Sequence, residues 1–477
     1  MYIRLLIFFG FPLSCFAAPL TLEEFQRLIV QTHPAFASEK LDIAVAEKKR
    51  DAAKGGEDWM LSSSPFYRTE EPVASSTFSP TEAQRFGADL GLSRAIWETG
   101  GRIGLSVNYD YTDQKIPAIE IPGLPSGMGL VTAQPTFHRH AAIISYLHPL
   151  LKNRNGNQDR LVYDLRDLDV QLLELQTLEN REELLLQMSS KYLDWVNLFE
   201  QVRISRQREA LSLDQFEETE RRRDQNLVDE VDVLRAENGV QVARQRTVLT
   251  HARALAVLRE LEILIGLEAD PTREPGFGLY ESREHPVVEA SWYASARPMR
   301  ALDVLRDQVR RRLLSLEDGE EAQLDLALSG GLVSGDDTYG DSTRFNHPEA
   351  QIGLQFSVPL GGRTVKREAE AALLELQKVR KQEEYVELQL KAALENVQIQ
   401  LGELEKVLEL NRKQMTAANK QTVEELKAYD QGRSPLTFVI QSRDGEAQAA
   451  NLYAENALQY QKLLLNYLAL TDTLLSE

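Results

Sequence analysis

Apolar and polar residues alternate along several short stretches of this chain, most regularly in GRIGLSVNYDYTD at Gly101–Asp113. Successive side chains of a β-strand point to opposite faces, so this alternation predicts a strand with one apolar and one polar face. The apolar face would carry Ile103, Leu105, Val107, Tyr109 and Tyr111. The polar face would carry Gly104, Ser106, Asn108 and Asp110.

Other stretches show the same alternation. Gln84–Ala95 comes before the first stretch, and the segment Glu98–Gly101 between them has the composition of a tight turn, so the two stretches predict a hairpin. Three further strands are predicted at Ala141–Leu151, Gln323–Leu328 and Ala350–Leu360. The strand regions as a whole are placed at about 59–150 and about 322–360.

Helical periodicity dominates the rest of the sequence. In the segment 154–223, leucines recur at intervals of four and three residues, which indicates a coiled-coil seam. These leucines are Leu161, Leu165, Leu168, Leu172 and Leu175. A helix of this length would measure about 105 Å at about 1.5 Å per residue, which is too long for a compact domain. The segment 363–430 has the same kind of seam, so two matched long helices are predicted.

The order of these elements occurs twice. QNLVDEVDVLRAENG, which begins at Gln225, aligns without gaps on QGRSPLTFVIQSRDG, which begins at Gln431. A strand that closes on proline and leucine precedes each long helix, at Pro149 and at Pro359. Internal duplication accounts for this order. The predicted divisions are a first repeat at 18–267, a linker at 268–295 and a second repeat at 296–477.

Each repeat is predicted to contain a short helix, a strand region, a long helix, a tight turn and a further helix. In the first repeat the tip turn is placed at 224–232, and the helix after it extends to 266. In the second repeat the tip turn is placed at 431–436, and a C-terminal helix follows. The two tip turns are therefore predicted to be equivalent.

The N-terminal residues 1–17 have one early charge, Arg4, followed by an apolar run and then small residues. This is the pattern of a secretory signal peptide. The only cysteine, Cys15, lies inside the segment, so cleavage would leave a chain without thiols; a lipoprotein would instead keep Cys15 as its acylated first residue. Beyond the signal, no run of about 20 apolar residues predicts a membrane-spanning helix.

Composition and motifs exclude several classes of function. The chain has 73 acidic and 54 basic residues, a net charge of −19, which argues against a nucleic-acid partner. It has no phosphate-binding loop, nucleophile elbow, HExxH motif or cysteine pair. His138 and His140 form a close pair, but without a third ligand nearby they fit a polar strand edge better than a metal site. We therefore expect no enzyme activity, no catalytic residues, no metal and no cofactor.

The alternating strands need a partner surface. They are too few for a soluble sandwich, and two strands alone are not stable in water. If strands from several copies close into a barrel, the open edges disappear and a membrane covers the apolar faces. The alternative is a soluble periplasmic coiled-coil scaffold or tether, which would explain the long helices but leave the strands without a role.

The sequence resembles the outer-membrane efflux protein family, the TolC-like exit ducts of double-membraned bacteria. The resemblance covers nearly the whole chain after the signal. It depends on TLEEFQRLIVQTHPAF from Thr21, on the Pro-Leu ends of the strands at Pro149 and Pro359, and on LVDEVDVLRAENGVQVARQ from Leu227.

The resemblance implies a mixed α and β membrane protein that forms a homotrimer. Each protomer would give about four strands to one transmembrane β-barrel in the outer-membrane lipid, and this barrel would continue into a long periplasmic α-helical barrel. The protein would be a passive exit duct of a tripartite efflux or type I secretion system. Its partners would be a periplasmic adaptor (membrane fusion) protein and an inner-membrane transporter.

The predicted hairpin at about 84–113 departs from this pattern, because it adds two strands to the first repeat. Two arrangements are open. Either all the strands cross the membrane and the barrel is larger, or the hairpin lies outside a minimal barrel of four strands per protomer. The second arrangement follows the family pattern, and it is the one that we expect.

The two tip turns are the candidate functional site. Asp224, Asp229, Glu230 and Asp232 cluster at the first tip, where three copies would form a ring that favours cations. The resemblance assigns a gate role to Asp232. At the second tip the candidates are Arg433, Pro435 and Phe438. The alternative to a gate role is that these acidic side chains only stabilise the N-terminus of the following helix, where the helix dipole favours negative charge.

The strand residues have a role in the same scheme. The side chains of Ile103, Leu105 and Val107 would face lipid if the strand crosses a membrane. Tyr109 and Tyr111 at its end fit an interfacial aromatic girdle, although aromatic residues are also common in strands of any kind.

Overall fold

The computed structural model describes residues 19–73, 79–116, 136–283, 288–289 and 291–475. The predicted signal segment 1–17, which includes Cys15, lies outside the described residues. No helix in these ranges is both long enough and apolar enough to cross a membrane.

Strands in the described ranges form one antiparallel sheet of six strands, in which each strand pairs with its neighbours in sequence. The strands are β1 (Met60–Glu70), β2 (Glu82–Ile96), β3 (Gly101–Lys115), β4 (Thr136–Pro149), β5 (Gln323–Asp336) and β6 (His347–Ser357). Each of the five alternating stretches coincides with a strand over most of its length, but β4 ends at Pro149 and β6 at Ser357, before the predicted ends at Leu151 and Leu360. At several other ends the strands extend beyond the predicted bounds. The first strand, β1, had been predicted only as part of a broad strand region.

The hairpin of β2 and β3 lies in the middle of the sheet. Its turn places Gly100 at φ +63°, and a Cβ atom there would lie 1.9 Å from the backbone oxygen of Asn153. Only glycine fits this turn. β2 pairs with β1 along Met60–Glu70, and β3 pairs with β4 along Arg102–Asp113. Both hairpin strands hydrogen-bond on both sides, so the hairpin belongs to the same sheet as the other strands. This favours the arrangement with the larger number of strands over the expected minimal barrel of four strands per protomer.

Helices make up most of the rest of the described chain. They are α1 (Leu22–Thr32), α2 (Pro34–Ala53), α3 (Leu161–Asp224), α4 (Glu230–Leu264), α5 (Arg297–Glu320), α6 (Tyr339–Ser342), α7 (Arg363–Asp430) and α8 (Leu436–Leu470). The second long helix has the predicted bounds. The first tip turn is shorter than predicted, since α4 begins at Glu230 and Asp232 already lies in its first turn.

The first long helix begins at Leu161 and not at residue 154. Residues 151–160 form turns, with Asn153 at φ +64° and Gly156 at φ +66°. The carboxylate of Asp318 accepts the backbone N–H of Asn153 at 2.9 and 3.1 Å, and a Cβ atom on Gly156 would lie 1.7 Å from the backbone oxygen of Trp97. These contacts hold a left-handed conformation that an α-helix does not tolerate.

The chain divides into two compact units that do not coincide with the two predicted repeats. Unit 1 contains the described residues up to Asp42, Glu174–Ala301, and those from Glu383 onward. Unit 2 contains Ile43–Leu173 and Leu302–Gln382. Each unit therefore combines segments from both halves of the sequence, and the whole sheet belongs to unit 2.

The main core of unit 1 is built on aromatic residues of α1 and α3. Phe25 and Tyr192 are fully buried and their ring centroids lie 5.4 Å apart, while Trp195 packs edge-on against Tyr192. The Tyr192 hydroxyl donates to the backbone oxygen of Leu20 at 2.6 Å. Because a buried hydroxyl needs a partner, this bond fixes the N-terminal segment onto α3.

A buried ion pair fixes the end of α8 in the same unit. Nη1 of Arg297 lies 2.5 Å from Oε2 of Glu182, and the backbone N–H of Arg297 donates to Asp472 at 2.8 Å. The other carboxylate oxygen of Glu182 accepts the backbone N–H groups of Leu474 and Leu475. Burial raises the pKa of Glu182, and the bond to Arg297 only partly offsets this.

Replacing Arg297 by alanine should lower the free energy of unfolding by about 3–5 kcal/mol at neutral pH, because it leaves the buried carboxylate of Glu182 unpaired. Part of the loss should return at mildly acidic pH. The native pKa of Glu182 lies above its unfolded value, so the folded state binds the proton more readily as the pH falls. Chemical denaturation of the purified protein at both pH values measures this.

Arg235→Ala is the matched control, since Arg235 forms an exposed ion pair with Asp232 on one helix. This change should cost less than about 1 kcal/mol. Equal losses in the two variants would contradict the structural role given to Arg297.

Candidate functional site

One face of the sheet in unit 2 is apolar across all six strands. The register places Leu92 opposite Leu105, and Leu105 opposite Ile144. The apolar face continues on the remaining strands with Leu61, Leu328, Leu332, Ile352, Leu354 and Phe356. Ile352 is 75% exposed and Leu354 is 67% exposed in the single chain. An exposed apolar surface of this extent is typical of a protein–protein or membrane interaction site.

The predicted strand residues all lie on this face. Ile103, Leu105, Val107, Tyr109 and Tyr111 occupy alternate positions of β3, and their partners on β4 are Tyr146, Ile144, Ala142, His140 and His138. Leu105 is 42% exposed and Val107 is 44% exposed. That these side chains contact lipid remains a prediction.

The opposite face carries mostly small and polar residues, although Ile143, Leu147 and Val333 also lie on it. Asn108 on β3 donates from Nδ2 to Asp89 on β2 at 2.6 Å. Phe66 on β1 is an exception, because its ring lies over Gly87, where a Cβ atom would approach the ring carbons to 2.7 Å. The aromatic ring thus covers the exposed backbone of a glycine, and the strand pairing is kept.

Aromatic and histidine side chains gather at one end of the apolar face. The ring of Tyr109 lies 4.8 Å from that of His140, and its hydroxyl lies 2.9 Å from Nδ1 of His138. Tyr339, from α6 between β5 and β6, packs edge-on against both histidines. Sequence reasoning missed Tyr339, because nothing local marks its position.

A metal site at these histidines receives no support. Among the described residues, only Glu179, Glu182 and Asp472 bring three metal-ligating side chains within ligand distance of one another, and they lie in unit 1. Arg297 already lies among these carboxylates, at 2.5 Å from Glu182 and 3.6 Å from Asp472. The cluster is therefore an ion-pair network around Arg297 and not a cation site.

The two strand-to-helix junctions differ although both carry proline. Pro149 is the buried last residue of β4, and the turns of residues 150–160 separate it from α3. Pro359 follows β6 in a shorter connection that uses Gly361 and Gly362 at φ +116° and +47°. Of the two predicted junction residues, only Pro149 ends a strand, and neither leads directly into a helix.

The two tip turns of unit 1 have the same backbone geometry. Asn226 and Gly432 occupy aligned positions, with φ +55° and +68°. In the first turn the N–H of Leu227 donates to the oxygen of Arg222 at 2.9 Å; in the second, the N–H of Arg433 donates to Ala428 at 2.8 Å. Each helix thus ends in a left-handed residue followed by a six-to-one bond, which is the Schellman motif. This supports the alignment register of the two tips.

The acids of the first tip lie at its surface and are mostly paired. Asp224 and Glu230 contact Arg223 at 2.9 and 3.6 Å, and Asp232 pairs with Arg235 at 2.9 Å. Asp229 occupies the N-cap of α4, but its side chain makes no capping hydrogen bond. The capping role would require a hydrogen bond from a backbone N–H of the first turn to the Asp229 carboxylate, and this bond is not formed.

At the second tip, Pro435 takes the N-cap position and Phe438 is 51% exposed in the first turn of α8. Arg433 contacts the side chain of Gln431. Phe438 does not belong to the nearby small core, whose buried residues are Ala236, Tyr429, Leu436 and Val439. That Phe438 contacts another copy remains a prediction.

Arg222 joins the two tips, a feature that sequence reasoning missed. Its guanidinium lies 4.5 Å from the centroid of the Tyr429 ring and donates to Asp430 at 2.8 Å. Burial lowers its pKa, but the hydrogen bond to Glu218 and the charge of Asp430 outweigh this cost, so the pKa of Arg222 is raised. Arg222 is the middle one of three consecutive arginines, and no local feature of the sequence shows which of the three makes these contacts.

Solved structures share this architecture. The outer membrane protein VceC from Vibrio cholerae is similar with a TM-score of 0.64 and 11% sequence identity, over 95% of this chain and 95% of that chain. CusC gives a TM-score of 0.67 at 7% identity, over 94% and 91%. The outer membrane channel CmeC from Campylobacter jejuni gives 0.64 at 10% identity, over 95% and 86%.

Comparison with models of protein families gives no match, and comparison with curated proteins gives no significant match. The structural likeness shows the fold alone. The chain has the fold of TolC-like outer-membrane efflux channels, as the resemblance of its sequence predicted.

Replacing Arg222 by alanine should loosen the joined tips by about 1–3 kcal/mol, since it removes a charged hydrogen bond and a cation–π contact. Hydrogen exchange at the backbone amides of Tyr429–Leu436 measures the change and should become faster. Arg221→Ala is the matched control, because Arg221 is exposed and, among the residues that the structure describes, forms an ion pair only with Glu218 of its own helix. Equal acceleration in the two variants would contradict the joining role of Arg222.

Proposed function

We propose that this protein is a passive exit duct of the bacterial outer membrane. The observation that carries the proposal is the sheet of unit 2, with one exposed apolar face and one polar face, in a chain that has the fold of outer-membrane channels. The protein accepts its substrate from an inner-membrane transporter through a periplasmic adaptor, in a tripartite efflux or type I secretion system. It supplies a path and no energy.

The apolar face determines where the sheet resides. In water, apolar side chains such as Leu105 and Ile144 would stay exposed. Lipid covers these side chains, and the backbone N–H and C=O groups of the paired strands remain hydrogen-bonded. The polar face, which carries Ser106 and Asn108, then lines a water-filled lumen. Strands from several copies close the barrel, with a homotrimer as the proposed assembly.

The tips of the helices form the gate of this duct. Three copies place six helix–turn–helix tips around one axis, with acids from the first tip and apolar bulk from the second. Asp232 lies in the first turn of α4, and Phe438 holds the aligned position in α8. We propose that Asp232 sets the ion preference of the lumen and that Phe438 packs between copies in the closed state.

Replacing Val107 by arginine should impair assembly in the membrane far more than replacing its neighbour Asn108 by arginine. Val107 belongs to the apolar face, where an arginine costs about 2–4 kcal/mol at the bilayer midplane, whereas Asn108 belongs to the polar face. The yield of detergent-extracted oligomer measures the difference. Equal tolerance at the two positions would show that this face does not contact lipid.

Planar-bilayer recordings test the duct and its gate together. The parent protein should give discrete conductance steps, Asp232→Ala should lower the cation preference, and Phe438→Ala should raise the open probability with charge selectivity nearly intact. An unchanged reversal potential in a salt gradient for Asp232→Ala would end the gate assignment. If carbonate washes the protein off membranes and the protein gives no conductance, the scaffold alternative would be favoured.

A further inference from the structure

The two edge strands of the sheet, β1 and β6, each pair on one side only in the described chain. Almost every residue of both strands is exposed. An unpaired strand edge presents a row of backbone N–H and C=O groups that will pair with another strand if one is available. In a bilayer such a row cannot stay open, because no water reaches it.

The two edges fit each other in length and direction. β1 and β6 both contain 11 residues, while the four inner strands contain 14 or 15. Five antiparallel pairings separate the two strands, so they run in opposite directions. Placing β6 of one copy beside β1 of the next therefore gives another antiparallel pair and continues the pattern of the sheet.

We propose that β6 of one copy pairs with β1 of a second copy in the register that places Met60 opposite Ser357 and Glu70 opposite His347. This inference rests on the proposed function, because three copies joined in this way close a transmembrane barrel. Six strands from each of three copies give eighteen. The even number that antiparallel closure requires is preserved.

Facial alternation supports the register. Opposite residues share a face of the sheet, so an apolar position of β1 must meet an apolar position of β6. In the proposed register Leu61 meets Phe356, and Ser62 meets Gln355. Both apolar residues are largely exposed in the single chain, at 73% and 65%. A shift by one residue would place Leu61 opposite Gln355 and break the continuity of both faces.

Charge supports the same register. Arg68 of β1 falls directly opposite Glu349 of β6, on the polar face. Neither side chain has an ion pair within the described part of its own chain, whereas the neighbouring Glu70 contacts Arg85 at 3.5 Å. Opposite charges on facing residues of paired strands are stabilising. Pro65 and Pro348 lack an N–H, so each edge loses at most one donor of its row.

The hairpin of β2 and β3 widens this barrel. Without it each copy would supply four strands, and three copies would close a barrel of twelve. Because barrel diameter grows roughly linearly with strand number, eighteen strands give a barrel about half as wide again as twelve. The insertion adds two strands and so leaves the directions of the edge strands unchanged.

Disulfide cross-linking tests the pairing in the full chain. In the variant Ser62→Cys/Gln355→Cys the two thiols fall directly opposite, at about 4.5–5.5 Å between Cα atoms, a separation that a disulfide spans. Oxidation in membranes should give covalent dimers and trimers on a denaturing gel. The control Ser62→Cys/Glu349→Cys keeps the same face but separates the thiols by about 20 Å, so it should stay monomeric. Cys15 is the only native cysteine, and the single variants control for it.

The charge pair gives an independent measurement. Arg68→Glu and Glu349→Arg should each lower the temperature at which the detergent-purified oligomer dissociates, and the double variant Arg68→Glu/Glu349→Arg should regain most of the loss. Additive losses in the double variant, or cross-linking in the control thiol pair only, would overturn the register. An oxidised monomer with an internal bond would show that the sheet closes within one chain.

Failure of this pairing and failure of the proposed function give different results. Conductance without intermolecular cross-links would leave the duct in place and remove the proposed pairing. Absence of both conductance and detergent-dependent extraction would remove the duct itself.

Discussion

The rest of the structure depends on one constraint: a sheet with an exposed apolar face and two open edges needs both a covering phase and a pairing partner. In the proposed duct, lipid meets the first need, because it covers side chains such as Leu105 and Ile352 without leaving polar groups unpaired. In the proposed pairing, a second copy meets the other need, because β6 and β1 have equal lengths and opposite directions. Membrane location and oligomerisation are then two consequences of the same sheet.

The helical unit is stabilised in a different way. Its core is built on buried aromatic residues such as Phe25 and Tyr192, and its chain ends are fixed by polar contacts inside the protein. Arg297 holds the end of α8 through Glu182, and Arg222 joins the two tip turns through Tyr429 and Asp430. Burial makes the Arg297–Glu182 pair costly to separate. Arg222 instead links the ends of α3 and α7, so separating the two tip turns would break its contacts.

Local patterns predict most of the long helices and five of the six described strands, together with the faces of those strands, but they do not separate β1 from its surroundings. Alternation placed Leu105 and Val107 on one face of β3, and the alignment of Gln225 with Gln431 identified two turns of equal geometry. Contacts between distant residues were beyond prediction. Alternation cannot tell which strand lies beside which, so the expectation of a hairpin outside a minimal barrel followed the family pattern and not the residues themselves. The start of α3 depends on Asp318, which lies 165 residues from the Asn153 that it holds.

An electron cryo-microscopy map of the oligomer purified in detergent tests the central claim most directly, because the strands around its axis can be counted. We expect a closed barrel of eighteen strands from three copies, with β6 of each copy beside β1 of the next and the apolar face outward. A map with an open sheet, with twelve strands, or with the apolar face turned inward would contradict this account.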